Sequence, residues 1–200
     1  MAKFVIVVDA QRDFMMPDGA LYVGGADALI GPMNDWLAAL DPADMSGVLL
    51  TFDTHGAATY ATYASSAEAA QFPVHCVRGE AGWRSMIETD RTDPAISLYR
   101  LEKGVFDMWA EPDLSLSRIG SGETIDREEF FDALRASGVE EIHVIGVAAD
   151  YCVRWAVEGL LKRGFRVTVH AALTRGISRQ IDVVIADEWS GRPVKLKEPA

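Results

Sequence analysis

The chain has 200 residues, of which 49% are hydrophobic and 24% are charged, a composition typical of one globular domain with a substantial core. The formal net charge of −11 disfavours nucleic acid and anionic membranes as partners. No apolar run reaches the roughly 18 residues of a membrane span, and no signal-peptide pattern precedes the first strand, so we expect a cytoplasmic protein. The two cysteines, Cys76 and Cys152, do not make a disulfide framework.

Strand and helix patterns alternate along the chain. Continuous apolar runs at residues 4–8 and 48–52 are typical of parallel strands that are buried on both faces, and a helical pattern lies between them within residues 26–40. The elements predicted after them are a strand near 96–101, a helix from the N-cap Asp126 to Gly138, a strand from Ile142, a helix from Cys152 to Gly164, a strand at 165–171, a helix within 178–189 and a short edge strand at 194–196.

This order predicts an α/β fold in a single domain over residues 1–200, with an open, doubly wound, mostly parallel sheet of five to six strands and helices on both faces. Ligands bind such sheets beyond the carboxyl ends of the strands. Asp9, Asp53, Lys103 and Cys152 each lie at or just after such an end. Aspartate is a common turn residue and lysine is usually solvated, but the four positions together predict a reactive edge.

Cys152 lies where a strand pattern ends and a helical pattern begins. The free N–H groups and the dipole of a helix start stabilise an anion, which predicts a lowered thiol pKa and a place for an oxyanion. The alternative is a small buried apolar residue, as most free cysteines are. With Asp9 as the base and Lys103 holding that carboxylate, the thiol could carry out acyl transfer. His143 and His170 lie within apolar strands and are predicted to be structural.

A second group of residues has the character of metal ligands. Asp53 and His55 are two residues apart and face the same way in an extended segment, and Glu68 and His75 follow along the chain. This mixture of oxygen and nitrogen donors suits zinc, Fe(II) or manganese. The alternative is a turn aspartate, two surface histidines and a solvated glutamate. Cys76, beside His75, is expected to pack as an apolar residue.

Short segments over the whole chain resemble the isochorismatase-like cysteine hydrolases, and among them the nicotinamidase/pyrazinamidase family: DAQRDF at 9–14, PDGAL at 17–21, DTH at 53–55, FPVHCVRG at 72–79, EKG at 102–104 and GVAADYCV at 146–153. The resemblance implies hydrolysis of nicotinamide to nicotinate and ammonia through a thioester on Cys152. Residues 105–109, VFDMW, depart from the serine- and tyrosine-containing segment typical of the family. Another small amide or a carbamate is therefore the alternative substrate.

The resemblance also implies a role for each matching residue. The catalytic triad is Asp9, Lys103 and Cys152, and the oxyanion hole is formed by the N–H groups of Ala148 and Cys152 after a cis peptide between Val147 and Ala148. One divalent metal ion is expected, zinc first and iron or manganese as alternatives. Its implied ligands are Asp53, His55 and His75, with Glu68 or water as the fourth.

Substrate contacts and partners complete these expectations. Phe14 and Phe72 match positions that sandwich a pyridine ring, and Tyr151 is a further predicted substrate contact. The expected partners are a small-molecule amide and further copies of the chain, since relatives are often dimers or tetramers. A catalytically silent scaffold that uses the fold for protein contacts is the alternative from a different class.

Overall fold

The computed structural model describes residues 3–60 and 66–198, without the side chains of residues 66–68. The strands are β1 Lys3–Val8, β2 Met45–Asp53, β3 Leu98–Lys103, β4 Ser115–Arg118, β5 Thr124–Asp126, β6 Glu141–Val147, β7 Arg166–Arg175 and β8 Val194–Lys197. The α-helices that lie wholly within these residues are α1 Arg12–Met15, α2 Ile30–Ala38, α3 Ser66–Gln71, α4 Arg127–Ala136, α5 Cys152–Lys162 and α6 Ile181–Glu188. None of the described helices combines the length and the apolar character that crossing a membrane requires.

The strands form one sheet in the order β5-β4-β3-β2-β1-β6-β7-β8. Strands β3, β2, β1, β6, β7 and β8 run parallel, while β4 and β5 are added antiparallel at one edge. The predicted α/β class and the mostly parallel sheet are confirmed. The predicted number of five to six strands was too low, because β4 and β5 are short and polar and lack the apolar run that marked the others.

Helices cover both faces of the sheet, which explains the continuous apolar run of β1. Phe4 and Ile6 point into a core that includes residues of α4, α5 and α6, whereas Val5 and Val7 point into a second core with Met33 of α2. Successive strand residues point to opposite faces, so a strand between two cores has to be apolar at every position. Burial of each such side chain contributes about 1.5–3 kcal/mol to folding.

The carboxyl ends of β1, β2, β3 and β6 meet at one edge of the sheet, which is called the rim below. Gly146 is required there, because it has a φ of 120° and a Cβ atom added to it would lie 2.1 Å from the carbonyl oxygen of Val8. The peptide bond between Val147 and Ala148 is cis, as the family resemblance implied. The chain then turns into α5, which begins at Cys152.

A histidine pair lies on the strands away from the rim. His143 Nδ1 on β6 is 2.8 Å from His170 Nε2 on β7, and the ring of Trp36 packs against both imidazoles. These contacts agree with the predicted structural role. Burial, together with the nearby His143 and Lys197, lowers the pKa of His170 to about 4.

We expect this pair to make the protein less stable in mild acid. Unfolded His170 takes up a proton near its usual pKa of about 6.5, but folded His170 does so only near pH 4, so stability is lost as the pH falls through this window. The free energy of unfolding should fall by about 3 kcal/mol between pH 7 and pH 4. Urea unfolding of the wild type and His170→Gln checks this. The loss should be smaller in the variant, and equal losses would contradict the prediction.

Candidate active site

Three side chains from separate strand ends converge on the ammonium group of Lys103. The Nζ atom lies 2.8 Å from Asp9 Oδ2, 3.5 Å from Cys152 Sγ and 3.5 Å from Asp53 Oδ1. All of these side chains are buried, and Cys152 has the largest exposed fraction at 5%. The structure therefore brings together the three residues of the predicted triad and joins them to one of the predicted metal ligands.

The charges at this point stabilise one another. Burial alone would lower the pKa of Lys103, but Asp53 and Asp9 outweigh burial and raise that pKa well above its usual value. Burial would likewise raise the pKa of Asp53, but Lys103 and the two histidines hold it well below its usual range. At neutral pH, Lys103 is therefore an ammonium and Asp53 a carboxylate.

The thiol of Cys152 differs from the prediction made from the helix start. Burial raises its pKa well above the usual value, and Asp9 and Asp53 raise it further, although Lys103 acts in the opposite direction. The resting thiol therefore keeps its proton, and its chemistry needs a base within hydrogen-bonding reach. Asp9 is the candidate, because its carboxylate and the sulfur of Cys152 both contact the ammonium of Lys103.

Asp53, His55 and His75 form a compact set of donor atoms. Asp53 Oδ2 lies 3.3 Å from His55 Nε2 and 3.0 Å from His75 Nε2, and the three residues offer one ligand atom each within 4.8 Å of one another. Ligands about 2.1 Å from a tetrahedral zinc ion are about 3.4 Å apart, so these residues fit a divalent metal. The side chain of Glu68, the predicted fourth ligand, lies outside the described residues.

Two further residues, Gln11 and Asp13 of the segment DAQRDF at 9–14, hold the backbone of the candidate metal ligands in place. The sequence analysis did not single them out. The side-chain amide of Gln11 accepts from the backbone N–H of Asp53 at 2.7 Å and donates to its carbonyl at 2.9 Å. The carboxylate of Asp13 accepts from the backbone N–H of Cys76 at 2.7 Å. That N–H directly follows His75. Both side chains are polar and buried. In the sequence, their only signal was that they are polar residues two and four positions after Asp9.

An aromatic pocket covers the thiol. Its lining consists of Phe14, Leu21, Val23, Phe72, Phe106, Ala148, Tyr151, Cys152 and Ile177. The three predicted substrate contacts are all in this set. Phe72, Phe106 and Tyr151 pack edge to face, with ring centroids 5.2–5.6 Å apart. The cavity has a volume of about 10 Å³, close to the minimum for one water molecule, so a ring can enter only if these side chains move.

The backbone beside the thiol offers two hydrogen-bond donors. Ala148 follows the cis peptide bond and Cys152 is the first residue of α5. Within residues 3–60 and 66–198, no group accepts a hydrogen bond from the backbone N–H of either residue. The neighbouring amides of Tyr151 and Val153, in contrast, both donate to the carbonyl of Ala148. The two N–H groups are thus available to a ligand in the pocket.

This fold and this site are those of an α/β enzyme whose reactive groups lie at the carboxyl ends of parallel strands. The chain belongs to the isochorismatase family, because the model of the isochorismatase domain matches residues 3–181. The predicted family is therefore confirmed.

Individual relatives have related names. The chain is 29% identical over 196 residues to the nicotinamidase/pyrazinamidase of Mycobacterium tuberculosis, covering 97% of both proteins. It is 27% identical to the nicotinamidase of Saccharomyces cerevisiae, covering 91% of this chain and 92% of that protein. A pyrazinamidase of Pyrococcus horikoshii, solved in complex with zinc, superposes over 100% of both chains with 26% identity and a TM-score of 0.71. These relatives confirm the predicted class of enzyme, a nicotinamidase-type amidohydrolase.

Proposed function

We propose that this protein is a metal-containing cysteine amidohydrolase that converts nicotinamide to nicotinate and ammonia. One observation carries the proposal: the ammonium of Lys103 contacts both the carboxylate of Asp9 and the sulfur of Cys152 at the floor of an aromatic pocket. The names of the relatives support the choice of substrate. The predicted single domain, cytoplasmic location and homo-oligomeric state stay predictions.

The reaction begins with the proton of the thiol. Asp9 accepts this proton as the Cys152 sulfur attacks the amide carbon, and Lys103 stabilises the charge that moves between them. The N–H groups of Ala148 and Cys152 would then bind the oxygen of the tetrahedral intermediate. Each such donor contributes roughly 10²–10³-fold to the rate. Phe14, Phe72 and Tyr151 hold the ring and keep water out.

The second half of the reaction returns the proton. Protonated Asp9 gives it to the leaving nitrogen, so that ammonia departs and a thioester remains on Cys152. Asp9, again a carboxylate, takes a proton from an incoming water molecule, whose oxygen attacks the thioester carbon. Breakdown of this second intermediate releases nicotinate and restores the thiol with the proton held by Asp9.

The proposed ion would be held by Asp53, His55 and His75, with Glu68 or water as the fourth ligand, and would supply an electrophilic site for the ring nitrogen. Zinc is the ion expected first, with iron or manganese as alternatives. Lys103 lies between the two halves of the site, because its ammonium contacts both Asp53 and Asp9. Its positive charge therefore stabilises two neighbouring carboxylates with different roles, Asp53 as a metal ligand and Asp9 as the base.

A second substrate class has one specific observation in its favour. Phe106, from the segment that departs from the family pattern, lines the pocket and packs against Phe72 and Tyr151. This wall determines the shape of the ring that the pocket accepts. Another small amide or a carbamate is therefore the alternative substrate for the same chemistry.

We expect purified protein to release equal amounts of ammonia and nicotinate from nicotinamide, and to contain one divalent ion per chain by elemental analysis. Benzamide, which lacks the ring nitrogen, should be a much poorer substrate. Chelation should remove the activity, re-addition of zinc, iron or manganese should restore it, and His55→Ala should neither retain the ion nor recover.

Two results would separate the possibilities. Turnover of other amides or carbamates, but not of nicotinamide, would favour the alternative substrate. A protein that binds the ion but hydrolyses none of these compounds would contradict the proposal and favour the silent scaffold.

A further inference from the structure

A buried threonine makes two hydrogen bonds to the proposed catalytic base. Thr51 lies on β2, beside the end of β1, and only 2% of its surface is exposed. Its hydroxyl donates to Asp9 Oδ1 at 2.6 Å and accepts from the backbone N–H of Asp9 at 3.2 Å. A hydroxyl has one proton, and Thr51 uses it on the carboxylate. The side chain and the backbone of Asp9 are thus held by the same atom.

The backbone of Asp9 requires such support. Its φ of 45° lies in the left-handed region, which residues other than glycine rarely adopt. In this conformation the carboxylate contacts Lys103, with Oδ2 2.8 Å from Nζ. The hydrogen bond from the Asp9 N–H to Thr51 stabilises the turn, because an unpaired buried N–H would cost free energy.

The hydrogen bond to Oδ1 also gives the two carboxylate oxygens of Asp9 different partners. Oδ1 accepts from Thr51, while Oδ2 lies 2.8 Å from Lys103 Nζ. Lys103 in turn contacts the sulfur of Cys152. Rotation of the carboxylate about its Cβ–Cγ bond would break the bond to Thr51. Oδ2 therefore remains directed towards the ammonium of Lys103, which also contacts the sulfur.

We infer that Thr51 is a positioning residue for the base, an inference that rests on the proposed function. It acts through Asp9: among the described residues its hydroxyl hydrogen-bonds only to Asp9, and Thr51 does not line the pocket. Its hydroxyl fixes the rotation of the carboxylate, so that Oδ2 accepts the proton of Cys152 and later delivers it to the leaving nitrogen. The methyl group of Thr51 plays no part in this.

The test compares Thr51→Val, which removes the hydroxyl and keeps the shape, with Thr51→Ser, which keeps the hydroxyl. Thr51→Val should lower kcat for nicotinamide about 10- to 100-fold with KM changed less than about 2-fold, because proton transfer is affected more than binding. Thr51→Ser should restore kcat to within about 3-fold of the wild type. Metal content and melting temperature are measured for each protein.

Thr168 provides a matched control. It is a buried strand threonine whose hydroxyl donates to a carboxylate, that of Glu141, at 2.8 Å, away from the rim. Thr168→Val makes the same chemical change and should leave kcat at the wild-type value. If Thr51→Val behaves like Thr168→Val, or if Thr51→Ser is as slow as Thr51→Val, the positioning role is wrong.

A second readout does not depend on the substrate. The rate at which iodoacetamide alkylates Cys152, followed by mass spectrometry, should be lower in Thr51→Val than in the wild type and recover in Thr51→Ser. If wild-type protein releases no ammonia from nicotinamide, the proposed function fails, while these alkylation rates still decide the role of Thr51. Equal alkylation rates in all three proteins would overturn the inference.

Discussion

Replacement of Cys152 by alanine is expected to lower ammonia release from nicotinamide by about 10⁴-fold or more, because Cys152 carries the only thiol among the described residues that line the pocket. The fold should persist, since the side chain is small and the ammonium of Lys103 keeps its contacts with Asp9 and Asp53. The measurement is kcat for ammonia release, with the melting temperature and the metal content taken on the same preparation.

Hydroxylamine makes this experiment specific for a thioester. Wild-type protein turning over in hydroxylamine should form the hydroxamate of nicotinic acid, because the amine attacks the thioester carbon and the thiol leaves. Cys152→Ala should form none. Hydrolysis without hydroxamate in the wild type would indicate direct attack by water and would contradict the proposed intermediate.

The other cysteine is the matched control. Cys76 is also completely buried, and burial together with Asp53, Asp9 and Asp13 raises the pKa of its thiol. Its hydrogen bonds to the site are made by its backbone, which alanine also provides: the N–H donates to Asp13, and the carbonyl accepts from the N–H of His55 at 3.1 Å. Cys76→Ala should therefore keep most of the activity. A comparable loss in both variants would mean that packing, and not nucleophilic attack, explains the effect of Cys152→Ala.

The architecture was largely predictable because its strongest signals are local. The runs at 4–8 and 48–52 are apolar at every position, which indicates strands between two layers, and they became β1 and β2. The predicted N-cap Asp126 accepts from the N–H groups of Glu128 and Glu129 at 2.8 and 3.1 Å. Strand β4, with the sequence SLSR, has a single apolar residue, so only its pairing with β3 identifies it as a strand.

The site residues that lie at strand ends could be predicted from the sequence. Those whose role depends on contacts between strands could not. Asp9, Asp53 and Lys103 follow from the rule that parallel strands present their carboxyl ends at one edge. Thr51 lies inside an apolar run, and its bond to Asp9 spans 42 residues of sequence, so its role depends on the register of β1 and β2. The raised pKa of Cys152 likewise depends on burial by distant segments, whereas the helix start alone predicted the opposite sign.

The largest loss of stability in the site is expected from Lys103→Met. This variant keeps an unbranched side chain that is one atom shorter but removes the ammonium, and so leaves the buried carboxylates of Asp9 and Asp53 without their shared cation. Loss of one partner from a buried ion pair costs about 3–5 kcal/mol. We expect the free energy of unfolding of the chelated protein to fall by about that amount, as measured in urea at pH 7. Bound metal should reduce the loss, because it would compensate the charge of Asp53.

The difference in the free energy of unfolding between the wild type and Lys103→Met should become smaller as the pH is lowered. In the wild type Lys103 holds the pKa of Asp53 well below its usual range, so this contribution is present at neutral pH and is lost as the pH falls through that low pKa. Without the ammonium, burial raises the pKa of Asp53. In the variant, Asp53 is therefore protonated at a higher pH, and this removes the cost of burying its unpaired charge. The difference in stability should therefore be larger at pH 7 than at pH 5. A constant difference would show that lost packing, and not the charge, is responsible.

Lys162→Met is the control that separates the specific role of Lys103 from a general effect of replacing a lysine by methionine. The side chain of Lys162 is 66% exposed and lies 3.6 Å from Glu158 on the surface of α5, and exposed pairs of this kind contribute little to stability. Its melting temperature and activity should equal those of the wild type, whereas Lys103→Met should also lose at least about 10³-fold in kcat. If Lys103→Met kept its activity, Asp9 and the thiol would not need the ammonium between them, and the arrangement of charges proposed for the reaction would be wrong.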